Sequence, residues 1–236
     1  MISELLKIIY PPHCYVCSAA QLPAPDSTLC QKCWDTIIYL DRQICQKCGA
    51  ARPETGGQLG HYCGHCLKGA WPFNTARSLV KYDYPVTNLL HRLKYQGDRL
   101  VLKAIGEIIA RGTLPFTASD YDYIVPVPLH SQRLKQRGLN QAALLARLLL
   151  APGSGNLTRD LLLRVQQTKP QTGLNGVERR RNLKKAFAVN THYRLAGARI
   201  CLVDDVFTTG TTVSECTKTL LKSGAHEVFV WCLARV

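Results

Sequence analysis

The chain has 236 residues, of which 46% are hydrophobic and 19% charged, and it carries a formal net charge of +14. That balance supports a buried core and excludes a globally disordered chain. No apolar run approaches the roughly 18 residues of a membrane span, so none is expected.

The first ten residues, Met1–Tyr10, predict one or two amphipathic helical turns. Glu4 stands early in this stretch, and Pro11-Pro12 follows with no small-residue cleavage site. A secretory leader would need a longer apolar run and such a site, so a reducing cytoplasm is the expected setting.

Eleven cysteines follow, and eight of them form four C-x-x-C pairs: Cys14/Cys17, Cys30/Cys33, Cys45/Cys48 and Cys63/Cys66. Two thiolates two residues apart can grip one tetrahedral ion, whereas a disulfide framework would call for an oxidising compartment. The pairs fall into two sets, with 12 residues between the first two knuckles and 14 between the last two. Each set reads as a zinc ribbon, although a cross-braced pairing of first with third and second with fourth uses the same residues. Four sulfurs leave no open position for water, so both zinc ions are structural. With eight cysteines sufficient, His13, His61 and His65 are expected in surface or supporting roles, and Trp34 and Tyr62 in the small core of the ribbons. Two Zn2+ and eight thiolates would lower the formal charge from +14 to +10. A surface that basic suits a polyanionic partner, either nucleic acid or a phosphorylated small molecule.

Gly69-Ala70-Trp71-Pro72 marks a boundary, dividing residues 1–70, the double zinc-ribbon module, from residues 71–236. As a separate unit, the module is expected to unfold alone when zinc is removed. Beyond the boundary, strands are predicted over 78–84, 121–128, 161–165, 187–190, 199–203 and 227–233. Helices are predicted over 86–111, interrupted at Gly97-Asp98, and over 140–150 and 212–223. Residues 166–185, polar, basic and aperiodic, predict a long mobile loop. Alternating strands and helices define an α/β fold with a parallel sheet covered on both faces.

The most informative segment is I-C-L-V-D-D-V-F-T-T-G-T-T, residues 200–212. Four apolar residues make a central strand, and Asp204 and Asp205 stand at its carboxyl end, where open α/β sheets place their ligands. The small-residue turn Thr208, Thr209, Gly210, Thr211 and Thr212 then leads into a helix. Its N–H groups and hydroxyls can surround a phosphate, and the helix dipole adds to the attraction. Paired acids beside a phosphate cradle make sense for a sugar phosphate, whose vicinal hydroxyls donate to carboxylates.

This segment resembles the signature of type I phosphoribosyltransferases. The likeness implies that Asp204 and Asp205 hold ribose hydroxyls, that residues 208–212 hold the 5-phosphate, and that Mg2+ arrives mainly on the pyrophosphate of phosphoribosyl pyrophosphate. Salvage enzymes for 6-oxopurines carry a carboxylate where this chain has Thr208, which argues against that substrate class. Further segments are similar to the ComF family of competence proteins, also called GntX-like: V-P-V-P-L-H over 125–130, Arg133, R-G-x-N-Q-A over 137–142, T-x-x-Q-T-G-L over 168–174, Arg179, Asn182 and Ala186-Phe187. The N-terminal ribbons belong to that pattern too, so the likeness covers nearly the whole chain.

The resemblance implies a pyrophosphate loop at Pro128, Leu129, His130, Arg133 and Arg137. The two arginines lie four apart, so a helical turn would aim both one way. It also implies a flexible lid carrying Lys169, Gln171, Thr172, Arg179 and Asn182, whose cations could equally track a nucleic-acid backbone. The implied ligands are phosphoribosyl pyrophosphate or ribose 5-phosphate, and the implied process is uptake of single-stranded DNA in natural transformation. A DNA-uptake helicase would be the partner at the inner face of the membrane. Two classes stay open: a phosphoribosyltransferase, or a single-stranded-DNA adaptor built on a non-catalytic scaffold. The acceptor is not named by any residue set.

Overall fold

The computed structural model describes residues 13–20, 22–24, 26–52, 62–69, 71–114, 116–150, 157–166 and 186–236. The N-terminal helical turns, His61 and the proposed lid residues Lys169, Gln171, Thr172, Arg179 and Asn182 lie outside the described residues.

Four parallel strands form the central sheet: β1 (Thr75–Lys81), β2 (Tyr123–Pro126), β5 (Arg199–Phe207) and β6 (Glu227–Arg235), in the order β1-β6-β5-β2. β5 shows why they are buried. Ile200 and Leu202 enter one apolar core, and Cys201 and Val203 enter the other, so both faces are covered. Parallel strands need crossovers, which the helices supply. α3 (Val86–His91) and α4 (Val101–Arg111) follow β1, α5 (Ser131–Arg137) and α6 (Gln141–Leu149) follow β2, and α7 (Thr211–Lys222) joins β5 to β6. Two strands, β3 (Leu162–Arg164) and β4 (Phe187–Val189), stand apart from the sheet as an antiparallel ribbon.

The long helical pattern over 86–111 breaks as expected. α3 runs into a π-helical turn, Arg92–Gln96, and Gly97 then adopts φ +65°. Asp98 turns back to pair with Arg92 at 2.6 Å, and Arg92 also donates to the carbonyl of Tyr15.

The ribbons contribute two short helices, α1 (Gln31–Asp35) and α2 (Gly64–Leu67). They do not sit apart from the α/β layers. Cys14, Cys30, Cys33 and Trp34 share one core with α3 and α4, while Cys45 and Cys48 share the other with Phe73, Phe207 and Val230. Thr28 donates through N and Oγ1 to Glu107 of α4, at 3.2 and 3.0 Å, and Arg111 stacks 3.7 Å above Trp34. Residues 38–40 extend the sheet by one antiparallel bridge beside β1, with Lys81 N donating to Ile38 O and Leu40 N to Leu79 O. The second ribbon docks through Ala76 N to Lys47 O and through Arg235 Nη1 to Cys48 O, at 2.8 and 2.7 Å. The shared packing bears on the expectation that the ribbons would unfold alone, because their buried residues are continuous with the two cores of the α/β layers. Trp34 is buried as expected, but Tyr62 is exposed.

Candidate functional site

The eight knuckle thiols gather as two sets, Cys14/17/30/33 and Cys45/48/63/66, so the pairing is sequential and not cross-braced. Closest Sγ–Sγ separations are 3.5–3.7 Å. A tetrahedron with Zn–S bonds of ~2.3 Å has edges of about 3.8 Å, whereas a disulfide would bring sulfurs to ~2.0 Å. The geometry fits two closed, structural zinc sites. Burial alone would raise the Cys14 and Cys45 thiols, but N–H groups of the knuckles turn inward and lower each to about 6. Burial pushes Cys33 up to about 12, and Cys17, Cys48 and Cys66 are raised as well, so each set holds one thiol that ionises readily while others stay protonated without a cation.

The second site forms where β2 stops and β5 continues. β2 ends at Pro126, opposite Val203, while β5 goes on pairing with β6 as far as Phe207. The lost neighbour opens a crevice at Asp204 and Asp205, which therefore lie inside β5 and not just beyond it. Strand alternation sends the two acids to opposite faces. Asp205 meets Lys94 of the π-helical turn, Nζ to Oδ2 2.6 Å. On Asp204's side stands Arg164 of β3, close enough to favour that carboxylate's charge. Burial nonetheless dominates at Asp204, aided by repulsion from Asp205, and pushes its carboxyl up to about 7. Lys94 would be lowered by burial, but Asp205 and Asp204 raise it, so it stays protonated.

These groups line a cavity of about 210 Å3. Pro128, Leu129, Arg133 and Arg137 form one wall, Thr208 and Thr212 another, and Tyr95 stands at the rim. The paired arginines point the same way because Ser131–Arg137 is a helix; His130, expected among the pyrophosphate-loop residues, caps its start by accepting from Gln132 N. Asn140 caps the next helix, α6, by accepting from Ala142 N and ties it to the strand by donating to Val127 O. Arg133 is pulled down by burial and by Arg137, and Arg164 by burial and by Arg133. Four cations crowd two carboxylates here, an arrangement that a bound polyanion would relieve.

The threonine turn is held from behind. Gly210 adopts φ +66°, and a Cβ there would come within 2.5 Å of the Trp71 ring. Trp71 in turn stacks on Phe73 and touches His65 of the second ribbon, at 5.4 and 4.8 Å between centroids. The Thr209 and Thr211 hydroxyls lie 2.9 Å apart. As the N-cap of α7, Gly210 offers no side-chain acceptor to the first-turn N–H groups, which leaves that end of the helix suited to an anion.

The pocket thus unites Pro128, Leu129, Arg133, Arg137, Asp204, Asp205, Thr208 and Thr212, while His130, Thr209, Gly210 and Thr211 do not line it; Lys94, Tyr95 and Arg164 were missed. Lys94 stands between buried Leu93 and exposed Tyr95, and Arg164 between Leu163 and Val165, both exposed.

Fold and sites together define an α/β protein that carries two four-thiolate ribbons and an acid-pair, threonine-turn crevice. The double zinc ribbon domain family matches residues 5–67. The chain is 34% identical to DNA utilization protein YhgH of Salmonella typhi, over 88% of this chain and 96% of that one. It is 35% identical to Competence protein F of Haemophilus influenzae, over 76% and 82%. With Competence protein ComFC of Bacillus subtilis it shares 27% identity, over 85% and 80%. The chain belongs to this ComF family of competence proteins.

Proposed function

We propose that the crevice binds a phosphorylated pentose, phosphoribosyl pyrophosphate with Mg2+ or ribose 5-phosphate, and that the protein serves the handling of incoming DNA. The observation that carries the first part is the juxtaposition of Asp204 and Asp205 with Thr208 and Thr212, the two ends of the threonine turn, across one small pocket. The acids would take the ribose hydroxyls, and residues 208–212 the 5-phosphate. Arg133, Arg137 and Arg164 would face the pyrophosphate, which carries most of the Mg2+ coordination. The lid residues Lys169, Gln171, Thr172, Arg179 and Asn182 would close over that end. Support for the second part comes from relatives named for competence and DNA utilization. A DNA-uptake helicase is the partner this reading calls for. No helix among the described residues is long and apolar enough to cross a membrane, so attachment to the inner face would run through such a partner.

A second reading is favoured by one observation. Beyond Asn140 the pocket adjoins a cavity of about 460 Å3 bordered by Arg99, Arg147 and Arg159. That basic groove would suit the backbone of a single-stranded nucleic acid gripped by a non-catalytic scaffold.

Calorimetry separates the two. With Mg2+ and phosphoribosyl pyrophosphate, the wild-type chain should show saturable binding that disappears in Asp204→Asn/Asp205→Asn. Absent binding in the wild type, together with salt-steep single-strand binding unchanged in that variant, would overturn the sugar-phosphate reading in favour of the second.

A further inference from the structure

The groove of about 460 Å3 beyond Asn140 has a mixed lining. Leu134 of α5, Leu139 of the connecting turn and Leu144 of α6 supply its apolar part, and Leu134 is 43% exposed. Arg99, Arg147 and Arg159 border it from three separate segments: the turn before α4, helix α6 and the stretch before β3. All three arginines are exposed, and none has a carboxylate within ion-pair distance among the described residues. The acids beside them in sequence are turned elsewhere. Asp98 pairs with Arg92 at 2.6 Å, and Asp160 accepts from the Tyr193 hydroxyl at 2.5 Å. Leu100 and Leu148, which follow Arg99 and Arg147, are exposed as well.

This lining selects between two kinds of polyanion. A single-stranded nucleic acid gains much of its hold from rings on which its bases stack, and no aromatic side chain is among the described residues that line the groove. Contact with a phosphate backbone alone would leave the leucines bare. Apolar side chains cover leucines, and an arginine fork grips a carboxylate through two parallel hydrogen bonds. A helix with leucine-like anchors at i, i+3 or i+4 and i+7, flanked by Asp or Glu, presents both groups on one face. We propose that the groove is a docking site for an acidic amphipathic helix of a protein partner. Charge complementarity to the three arginines, joined to the exposed leucines beside them, carries the assignment. It holds whichever ligand the crevice takes, and it gives to a protein the groove that the second reading gives to nucleic acid.

The test uses the full-length, zinc-loaded chain and two fluorescent probes. One is a designed helical peptide of ~16 residues with a leucine stripe flanked by glutamates, and the other is a short oligothymidine. Anisotropy should show saturable binding of the peptide that oligothymidine does not displace. Arg99→Glu/Arg147→Glu should weaken it at least ~10-fold, and that variant should regain binding when lysines replace the peptide's glutamates. As a second variant, Leu134→Ser should weaken the peptide without any change of charge. Failure of the peptide to bind the wild type would overturn the docking site, as would binding that ignores both the charge reversal and the loss of Leu134. Displacement of the peptide by oligothymidine, with the oligonucleotide itself weakened by the charge reversal, would overturn it in favour of nucleic acid.

Discussion

Asp204 shows how a buried acid can work against the stability of its own protein. Its carboxyl is raised to about 7 by burial and by Asp205, whereas an unfolded aspartate titrates near ~3.9. Between those values the folded chain holds a proton that the unfolded chain has shed. Stability therefore falls as pH rises from about 4 to about 7, and the full penalty is present above 7. Asp204→Asn removes it. The variant should be more stable than wild type by roughly 1–3 kcal/mol at pH 8, with the gain vanishing near pH 4, and on the proposed function it should lose the sugar phosphate. Thermal unfolding across that pH range checks this; a variant less stable at pH 8 would contradict the buried-acid account. Adjacent acids before a threonine turn are conspicuous in sequence because nothing in strand chemistry calls for them. Lys94 and Arg164 were not legible in the same way. Their roles depend on which layer and which sheet edge each one reaches, and that is decided by tertiary placement alone.

Among the elements, apolar periodicity served well where a strand or helix faces a core. The break at Gly97, the helix over 141–149 and the strands on either side of α7 all lie close to their expected positions. The end of β5 was misjudged because the apolar run stops at Val203. The strand continues because Asp204 and Val206 still pair with Cys232 and Ala234 of β6, a neighbour that an apolar count cannot see. The separate β3–β4 ribbon escaped for a related reason. Three-residue strands satisfy any sheet pattern, and only their partner shows that they pair with each other.

At the scale of the whole molecule, the zinc ribbons act as braces for the sheet and for the crevice. Arg235 of β6 reaches Cys48 through both its carbonyl and its sulfur and also lies 4.3 Å over Phe207, next to the threonine turn. His65 presses on Trp71, which backs Gly210. Zinc removal should therefore loosen more than residues 10–68. Hydrogen exchange after chelation is expected to show lost protection at β1 and in the 207–212 turn as well as in the ribbons. Protection at β1 and in that turn unchanged from the zinc-loaded chain would mean that the ribbons are detachable after all. Spacing alone showed the thiolate sets but not this bracing, which depends on tertiary contacts such as that of Arg235 with Cys48, 187 positions apart.

On the proposed function, an acid pair and a threonine turn grasp one sugar phosphate between them. A crystal structure of the chain soaked with ribose 5-phosphate tests it most directly. The phosphate is expected against the N–H groups of residues 208–212, with both ring hydroxyls on Asp204 and Asp205 and Lys94 still paired. A phosphate seated instead among Arg133, Arg137 and Arg164, with the threonine turn bare and the sugar away from the acids, would contradict it.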